Sequence, residues 1–166
     1  MEQIEILKKS LETDRPNQWK DIPDIELYMD QVISYMPRQH VGLNSNEALT
    51  SAMINNYIKK GLLPRANGKK YDREHLAYLT AICLFKQVLS VTDTDHLLKL
   101  QAEHQSINDF YDKYCEHLDV ALTDVSHCLK VNMTKEELSD LTLELAISAY
   151  AQKLVCEQLL AILQEV

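Results

Sequence analysis

The chain has 166 residues, of which 46% are hydrophobic and 25% are charged, and its formal net charge is −8. It contains only three Gly and four Pro, where average usage would give roughly twenty of the two together. Sandwiches and barrels need many Gly- and Pro-rich turns, so this composition favours a mainly helical protein. The balance of apolar and charged residues excludes a disordered chain.

Localisation is predicted from three features. No unbroken apolar run exceeds five residues, whereas a membrane-spanning helix takes about twenty. The N-terminus carries acids and lacks the apolar region of a signal peptide. The four cysteines form no C-x-x-C pair, which favours buried thiols in a reducing compartment. We therefore expect a soluble, cytoplasmic protein without membrane contact.

The N-terminal third predicts two helices. Apolar residues at helical spacing predict a short helix over residues 2–13, ended by Pro16. A polar residue followed by Pro and Asp over residues 21–24 predicts the start of a second helix, which Pro37 closes. The polar residues 38–48 predict a loop.

The next segment predicts a helix and a turn. Thr50 is a candidate N-cap for a helix that ends at Gly61, a residue suited to left-handed backbone. The Asn-Gly pair at 67–68 is a strong hairpin signal. We predict a small two-stranded hairpin, the only β structure of the chain, with arms at residues 62–65 and 69–71.

Capping signals predict four helices in the remaining sequence. They begin near Asp72, Thr92, Ser106 and Thr134. The last would run about 30 residues and roughly 45 Å, which exceeds a small domain. We expect part of it to pack against a second subunit. Two organisations fit the sequence equally well. The chain is one compact domain, or it is a module over residues 1–101, with its core at about 19–100, followed by a helical extension over 102–166.

The charge is distributed unevenly. Residues 49–73 carry six basic side chains and one acidic side chain, a net +5, while the rest of the chain carries −13. A basic segment on an acidic protein is the electrostatic pattern that phosphate binding requires. The alternative is a solvated loop whose bases serve solubility.

The order helix, loop, helix, basic hairpin, helix is the plan of a winged helix-turn-helix. In that plan the second helix enters the major groove and the wing touches phosphates or the minor groove. Asn can pair with adenine, and Lys can reach guanine or phosphate. The candidate DNA contacts are Ser51, Asn55, Asn56, Lys59 and Lys60 on the recognition helix 50–60, and Arg65, Lys69, Lys70 and Arg73 in the wing 62–71 and at its exit.

Two resemblances bear on this interpretation. Residues 56–64, Asn-Tyr-Ile-Lys-Lys-Gly-Leu-Leu-Pro, followed by Lys-Tyr-Asp at 70–72, resemble the wing region of MerR-type regulators. Residues 22–32, 49–57 and 70–89 resemble a bacterial family catalogued as domain of unknown function 1836. The second resemblance covers about residues 19–100. Together they imply a MerR-like winged core and a two-fold dimer through the C-terminal helices, and no established activity.

Motifs for catalysis are not found in the sequence. There is no Gly-rich phosphate loop, no G-x-S-x-G and no H-E-x-x-H, and the six histidines are scattered. We expect no enzyme, no cofactor and no metal site. The first hypothesis is a dimeric regulator that binds double-stranded DNA. The second is a protein-interaction module that keeps the winged scaffold. The third is an enzyme, or a sensor of an unknown small-molecule effector, with a pocket between helices that is lined by Tyr111, Tyr114 and Tyr150.

Overall fold

The structure is a computed structural model that describes residues 2–39 and 48–165. These residues are mainly helical, with one small antiparallel sheet of two strands. Single turns of 3₁₀ helix lie at Trp19–Asp21 and Met36–Gln39. The other elements are α1 (Glu2–Thr13), β1 (Leu27–Tyr28), α2 (Met29–Tyr35), α3 (Ser51–Lys60), β2 (Lys70–Tyr71), α4 (Arg73–Phe85), α5 (Val91–Ala102), α6 (Ile107–Cys128) and α7 (Lys135–Gln164).

Most predicted helix boundaries are confirmed. The Thr50 hydroxyl accepts a hydrogen bond from the Met53 amide and caps α3. Gly61 ends that helix with φ of +82°, a conformation that costs glycine little. The predicted capping residues before α4, α6 and α7 are also present. At α5 the predicted cap Thr92 is wrong, because Ser90 accepts from the Asp93 amide and the helix begins at Val91.

The prediction for α2 is wrong at its start. The helix begins at Met29 instead of at residues 21–24, since Leu27 and Tyr28 are extended and belong to β1. The Tyr28 amide donates to the side chain of Gln31, which starts the helix. The end of α2 agrees with the prediction, since the helix ends at Tyr35, two residues before Pro37, and Pro37 lies in the 3₁₀ turn that follows. Of the loop predicted over 38–48, residues 40–47 lie outside the described part of the chain.

The two-stranded hairpin is also partly wrong. The tight turn is present, because Asn67 and Lys70 exchange both backbone hydrogen bonds around Gly68. The segment 62–65 forms no strand, however. The strand β2 pairs instead with β1, with Leu27 opposite Tyr71 and Tyr28 opposite Lys70. The sheet therefore joins the entry to α2 with the entry to α4, two segments that are far apart in sequence.

The chain divides into two compact units, which we call the core unit (residues 14–118) and the helical unit (residues 1–13 and 119–166). A cluster of twenty buried residues fills the core unit. It includes Ile54 and Tyr57 of α3 and a nearly continuous run in α4 from Leu76 to Ile82. The boundary at residue 118 lies within α6. The division into a module over residues 1–101 and an extension over 102–166 stays a prediction.

Candidate nucleic-acid interface

The solvent-facing side of α3 carries the predicted polar residues. Ser51, Asn55 and Lys59 are four residues apart and form one row along the helix, because side chains at this spacing share a face. Asn56 and Lys60 belong to the neighbouring row. All five side chains are exposed. The structure therefore brings these predicted residues together on one accessible surface, which we call the α3 face.

The opposite side of α3 is fixed to the core unit. Ile54 and Tyr57 are almost fully buried there. Lys86, which follows α4, donates a hydrogen bond of 2.8 Å to the Tyr57 hydroxyl, and its ammonium lies 5.0 Å from the centre of that ring. The Tyr57 carbonyl also accepts from the Leu62 amide. These contacts hold α3 in place and leave its polar face open.

The turn after α3 presents two further bases. Arg65 is exposed just before the tight turn at Asn67–Lys70, and Lys69 is exposed within it. Gly68 has φ of +64°, a left-handed conformation that a residue with a side chain rarely adopts. The turn thus holds Lys69 at its tip, and both cations are accessible to an anionic ligand.

Two of the predicted contacts, Lys70 and Arg73, already have acidic partners. The Lys70 ammonium lies 3.8 Å from a carboxylate oxygen of Glu26 and 5.6 Å from the centre of the Tyr28 ring. Arg73 lies 3.6 Å from a carboxylate oxygen of Asp24 and 5.6 Å from the centre of the Trp19 ring. Their charge is therefore partly neutralised in the free protein, whereas Lys59 and Lys60 of the α3 face form no ion pair with any residue in the described ranges 2–39 and 48–165.

His75 connects this turn to the start of α4. Its ring nitrogens lie 2.6 Å from Asp72 Oδ1 and 3.1 Å from the carbonyl oxygen of Arg65. Burial raises the pKa of the Asp72 carboxyl, but the hydrogen bonds from the His75 side chain and amide outweigh it. The pKa of Asp72 therefore lies below its ordinary value. The charged carboxylate thus caps α4 and, through His75, holds the backbone from which Arg65 projects.

A groove of about 620 Å³ lies between the N-terminal ends of α2 and α3 and the tight turn. Tyr28, Met29 and Ile33 supply apolar walls, while Ser51 and Lys69 lie on its α3 and turn sides. The groove therefore separates the α3 face from the exposed turn. Its acidic side chain is Asp30.

Several residues of this region were missed by sequence reasoning. Lys70 forms an ion pair with Glu26, and Arg73 contacts both Asp24 and Trp19. Lys86 holds α3 through Tyr57. The two acids alternate with Ile25 over 24–26, a period-two pattern that is compatible with an extended segment. No local pattern pairs that segment with residues 70–73, because the strand pairing spans more than forty residues.

Two other sequence hypotheses concern tyrosines and metals. Tyr111 and Tyr114 are core residues, and the centres of their stacked rings are 5.7 Å apart. Burial raises the pKa of both hydroxyls, so both side chains stay neutral. Tyr150 is exposed on α7. Among residues 2–39 and 48–165, no group of three or more His, Cys, Asp or Glu side chains is placed to hold a metal ion.

The described residues form a mainly helical protein with a small two-stranded sheet. Exposed basic side chains lie on α3 and on the turn that follows. The chain belongs to the family described as "Domain of unknown function (DUF1836)", which matches residues 17–114. That match covers most of the core unit, including α3, the turn and β2. No curated protein and no solved structure matches the chain.

Proposed function

We propose that the core unit is a winged helix-turn-helix of MerR-like type that binds double-stranded DNA. In this proposal α2 and α3 are the helix pair, α3 enters the major groove, and the segment from Arg65 to Lys70 is the wing. The chain would act as a cytoplasmic transcriptional regulator in a bacterium. The observation that carries the proposal is the α3 face, five exposed polar or basic side chains on a helix anchored from behind.

Charge supports DNA as the ligand. From residue 48 to residue 71 the sequence holds five bases and no acid, although the chain as a whole is acidic. A helix that reads base edges needs hydrogen-bonding side chains, and Asn55 and Asn56 can pair with adenine. Lys59 and Lys60 at the end of α3 can reach guanine or phosphate. The combination favours a ligand that carries both phosphates and base edges.

The turn supplies the second contact region. Arg65 and Lys69 are free to reach the phosphate backbone, and such contacts position a protein on the duplex. Lys70 and Arg73 would have to leave Glu26 and Asp24 before they contact DNA. We therefore assign the main phosphate contacts to Lys59, Lys60 and the exposed turn, and a lesser role to the two paired bases.

A protein-interaction module is the second candidate function. The helical unit favours it, because α7 exposes eight large apolar side chains to solvent. A winged scaffold that no longer binds DNA would bind its partner through this surface. Under that function, changes on the α3 face leave partner binding unaffected, so the two candidates are separable by experiment.

Fluorescence anisotropy with mixed-sequence duplex DNA at low salt tests the proposal. We expect the wild type to bind and the Lys59→Ala/Lys60→Ala variant to bind at least ~10-fold more weakly, because two phosphate or base contacts are lost. The matched control is Lys20→Ala/Lys113→Ala, which removes two exposed lysines elsewhere in the core unit. This control should retain most of the wild-type affinity.

Two results would contradict the proposal. One is a wild type that binds no duplex even at low salt, after which a partner-protein search is the next step. The other is an equal loss of affinity in both variants, because it would show an unspecific response to net charge and no role for the α3 face.

A further inference from the structure

The groove of the core unit lies between the two regions that the proposed function assigns to DNA. Its lining includes Ser51 of the α3 face and Lys69 of the tight turn, and both side chains are exposed. The turn itself leaves room for a ligand, since a Cβ placed on Gly68 would lie within 4 Å of no atom among the described residues. The groove is therefore an open trough that connects the α3 face with the turn.

The side of the trough formed by α2 and the strand before it is apolar. Tyr28 is half-exposed there, and Met29 packs against the hydrophobic cluster of the core unit. The Tyr28 ring is held in place, because its backbone belongs to β1 and the Lys70 ammonium lies 5.6 Å from the ring centre. The same side carries an acid, Asp30, in the first turn of α2. A phosphate is therefore repelled from the α2 side and attracted to Lys69, while an apolar group can pack against Tyr28.

A DNA strand has the same alternation of charge and apolar surface. Each nucleotide offers a phosphate and, next to it, a deoxyribose whose ring carbons are apolar. The two strands of a duplex also form the boundaries between its major and minor grooves. When a helix lies in the major groove and a wing contacts the backbone or the adjacent minor groove, one strand has to run between them.

Resting on the proposed DNA binding, we infer that this trough seats one sugar–phosphate strand of the duplex. The Ser51 hydroxyl and the Lys69 ammonium bind its phosphates, as Ser and Lys side chains commonly do, and a neighbouring deoxyribose packs on Tyr28 and Met29. Tyr28 is thus a DNA contact outside the basic segment, and it adds aromatic contact area to an otherwise polar interface.

A free small molecule is the less suitable occupant of the trough. The volume of about 620 Å³ lies within the range of small-ligand sites, but such sites bury most of the surface of their ligand. Tyr28, Ser51 and Lys69 are all exposed, so the trough covers its occupant on one side only. A continuous strand tolerates this, because its other side faces the rest of the duplex.

The experiment measures the affinity for mixed-sequence duplex DNA by fluorescence anisotropy over a series of salt concentrations. Lys69→Ala should lower the magnitude of the salt slope by about 1, because one phosphate contact is lost. Tyr28→Ala should weaken binding roughly 5-fold, since the contact of an aromatic ring is lost. It should keep the wild-type slope, because Lys70 retains its ion pair with Glu26 and no phosphate contact changes.

Each variant has a matched control. Lys20→Ala removes an exposed lysine of the core unit that does not line the trough. Val88→Ala is the control for Tyr28→Ala, since Val88 is 45% exposed and Tyr28 is 50% exposed. Both controls should bind as the wild type does, and Tyr28→Phe, which keeps the ring, should retain most of the affinity. Folding is checked by far-ultraviolet circular dichroism and by the fluorescence of Trp19.

The outcomes separate this inference from the proposed function. If Lys59→Ala/Lys60→Ala weakens binding while Tyr28→Ala and Lys69→Ala keep the wild-type affinity and slope, the inference is wrong and the proposed function stands. A wild type that binds no duplex overturns both. Millimolar deoxythymidine monophosphate that displaces the duplex from the wild type, but not from Tyr28→Ala, would assign the trough to a free nucleotide and overturn the inference.

Discussion

The core unit and the helical unit differ in how much of their apolar surface each buries. All twenty residues of the hydrophobic cluster lie in the core unit, between Ile22 and Cys115. In the described residues of the helical unit, only Ser126, Leu129 and Leu160 are buried. Among the residues that the structure describes, eleven exposed large hydrophobic residues belong to the helical unit and three belong to the core unit.

This difference indicates different roles for the two units. The core unit stabilises itself by burial, so its surface is free to carry polar and basic side chains such as those of the α3 face. In the helical unit α7 begins with a capping box, but few of the described residues of the unit are buried. Most helical stability in proteins comes from packing. The stability of the helical unit should therefore depend on what covers α7.

The largest expected effect is the contrast between a core leucine and an α7 leucine. Leu79 is fully buried in α4, so Leu79→Ala should lower the free energy of unfolding of the core unit by about 2–5 kcal/mol. Leu163 is half-exposed in α7. Leu163→Ala should therefore change the free energy of unfolding of the core unit by less than about 0.5 kcal/mol. The measurement is urea unfolding followed by the fluorescence of Trp19, the only tryptophan.

The fluorescence of Trp19 reports on the core unit, because the centre of its ring lies 6.2 Å from the centre of the buried Tyr111 ring. Equal shifts of the Trp19 transition in the two variants would show that the units unfold as one, and the comparison between them would fail.

A smaller effect is expected at the cap of α4. Asp72→Ala should cost about 1 kcal/mol of stability, as the loss of an N-cap usually does. The carboxyl has its pKa lowered from 3.8 in the folded state. It therefore stabilises the fold fully above pH 3.8, and this contribution is lost as the pH falls through the lower folded value.

The pH dependence is measured against Asp72→Asn, which can still cap the helix but does not titrate. Urea unfolding at pH 7, 4 and 2.5 should show an advantage of the wild type over Asp72→Asn that is largest at pH 7 and shrinks as the pH falls below 3.8. An advantage that grows as the pH falls would contradict the role assigned to the charged carboxylate.

The smallest expected effect concerns the acids that partner the wing. Asp24→Asn/Glu26→Gln frees Lys70 and Arg73 from their ion pairs, so duplex DNA should bind about 2- to 5-fold more tightly at low salt. The expected gain in affinity is modest because exposed ion pairs have small interaction energies, so breaking them before DNA binds costs little. Anisotropy titrations compare this variant with Asp93→Asn/Asp95→Asn, which removes two acids from α5. An equal gain in the control would mean that overall charge, and no specific pairing, sets the affinity.

Local signals predicted the helices of this protein well. Each helix cap acts within one helical turn, so it can be recognised from neighbouring residues in the sequence. This holds for the N-caps Thr50, Asp72 and Thr134 and for Gly61 at the end of α3. The strand β1 was missed because it has only two residues and its partner lies beyond residue 69. The hairpin arm predicted at residues 62–65 is wrong for the same reason, since Tyr71 pairs with Leu27, although the predicted turn at Asn67–Lys70 is present.

The candidate site shows the same limit. The exposed polar residues of α3 could be predicted, because the helical period and the position of Ile54 and Tyr57 fix which side is buried. The pairing of Lys70 with Glu26 and of Arg73 with Asp24 depends on the tertiary position of β1, which no local pattern reveals.

The most direct test of DNA binding by the α3 face is the salt dependence of duplex affinity. The logarithm of the association constant should fall linearly with the logarithm of the salt concentration. The salt dependence of Lys59→Ala/Lys60→Ala should be shallower than that of the wild type. The magnitude of its slope should be lower by about 2, because each lost phosphate contact removes roughly one unit. Asn55→Ala/Asn56→Ala should keep the slope and lose discrimination between sequences. A lysine variant with the wild-type slope would contradict the account.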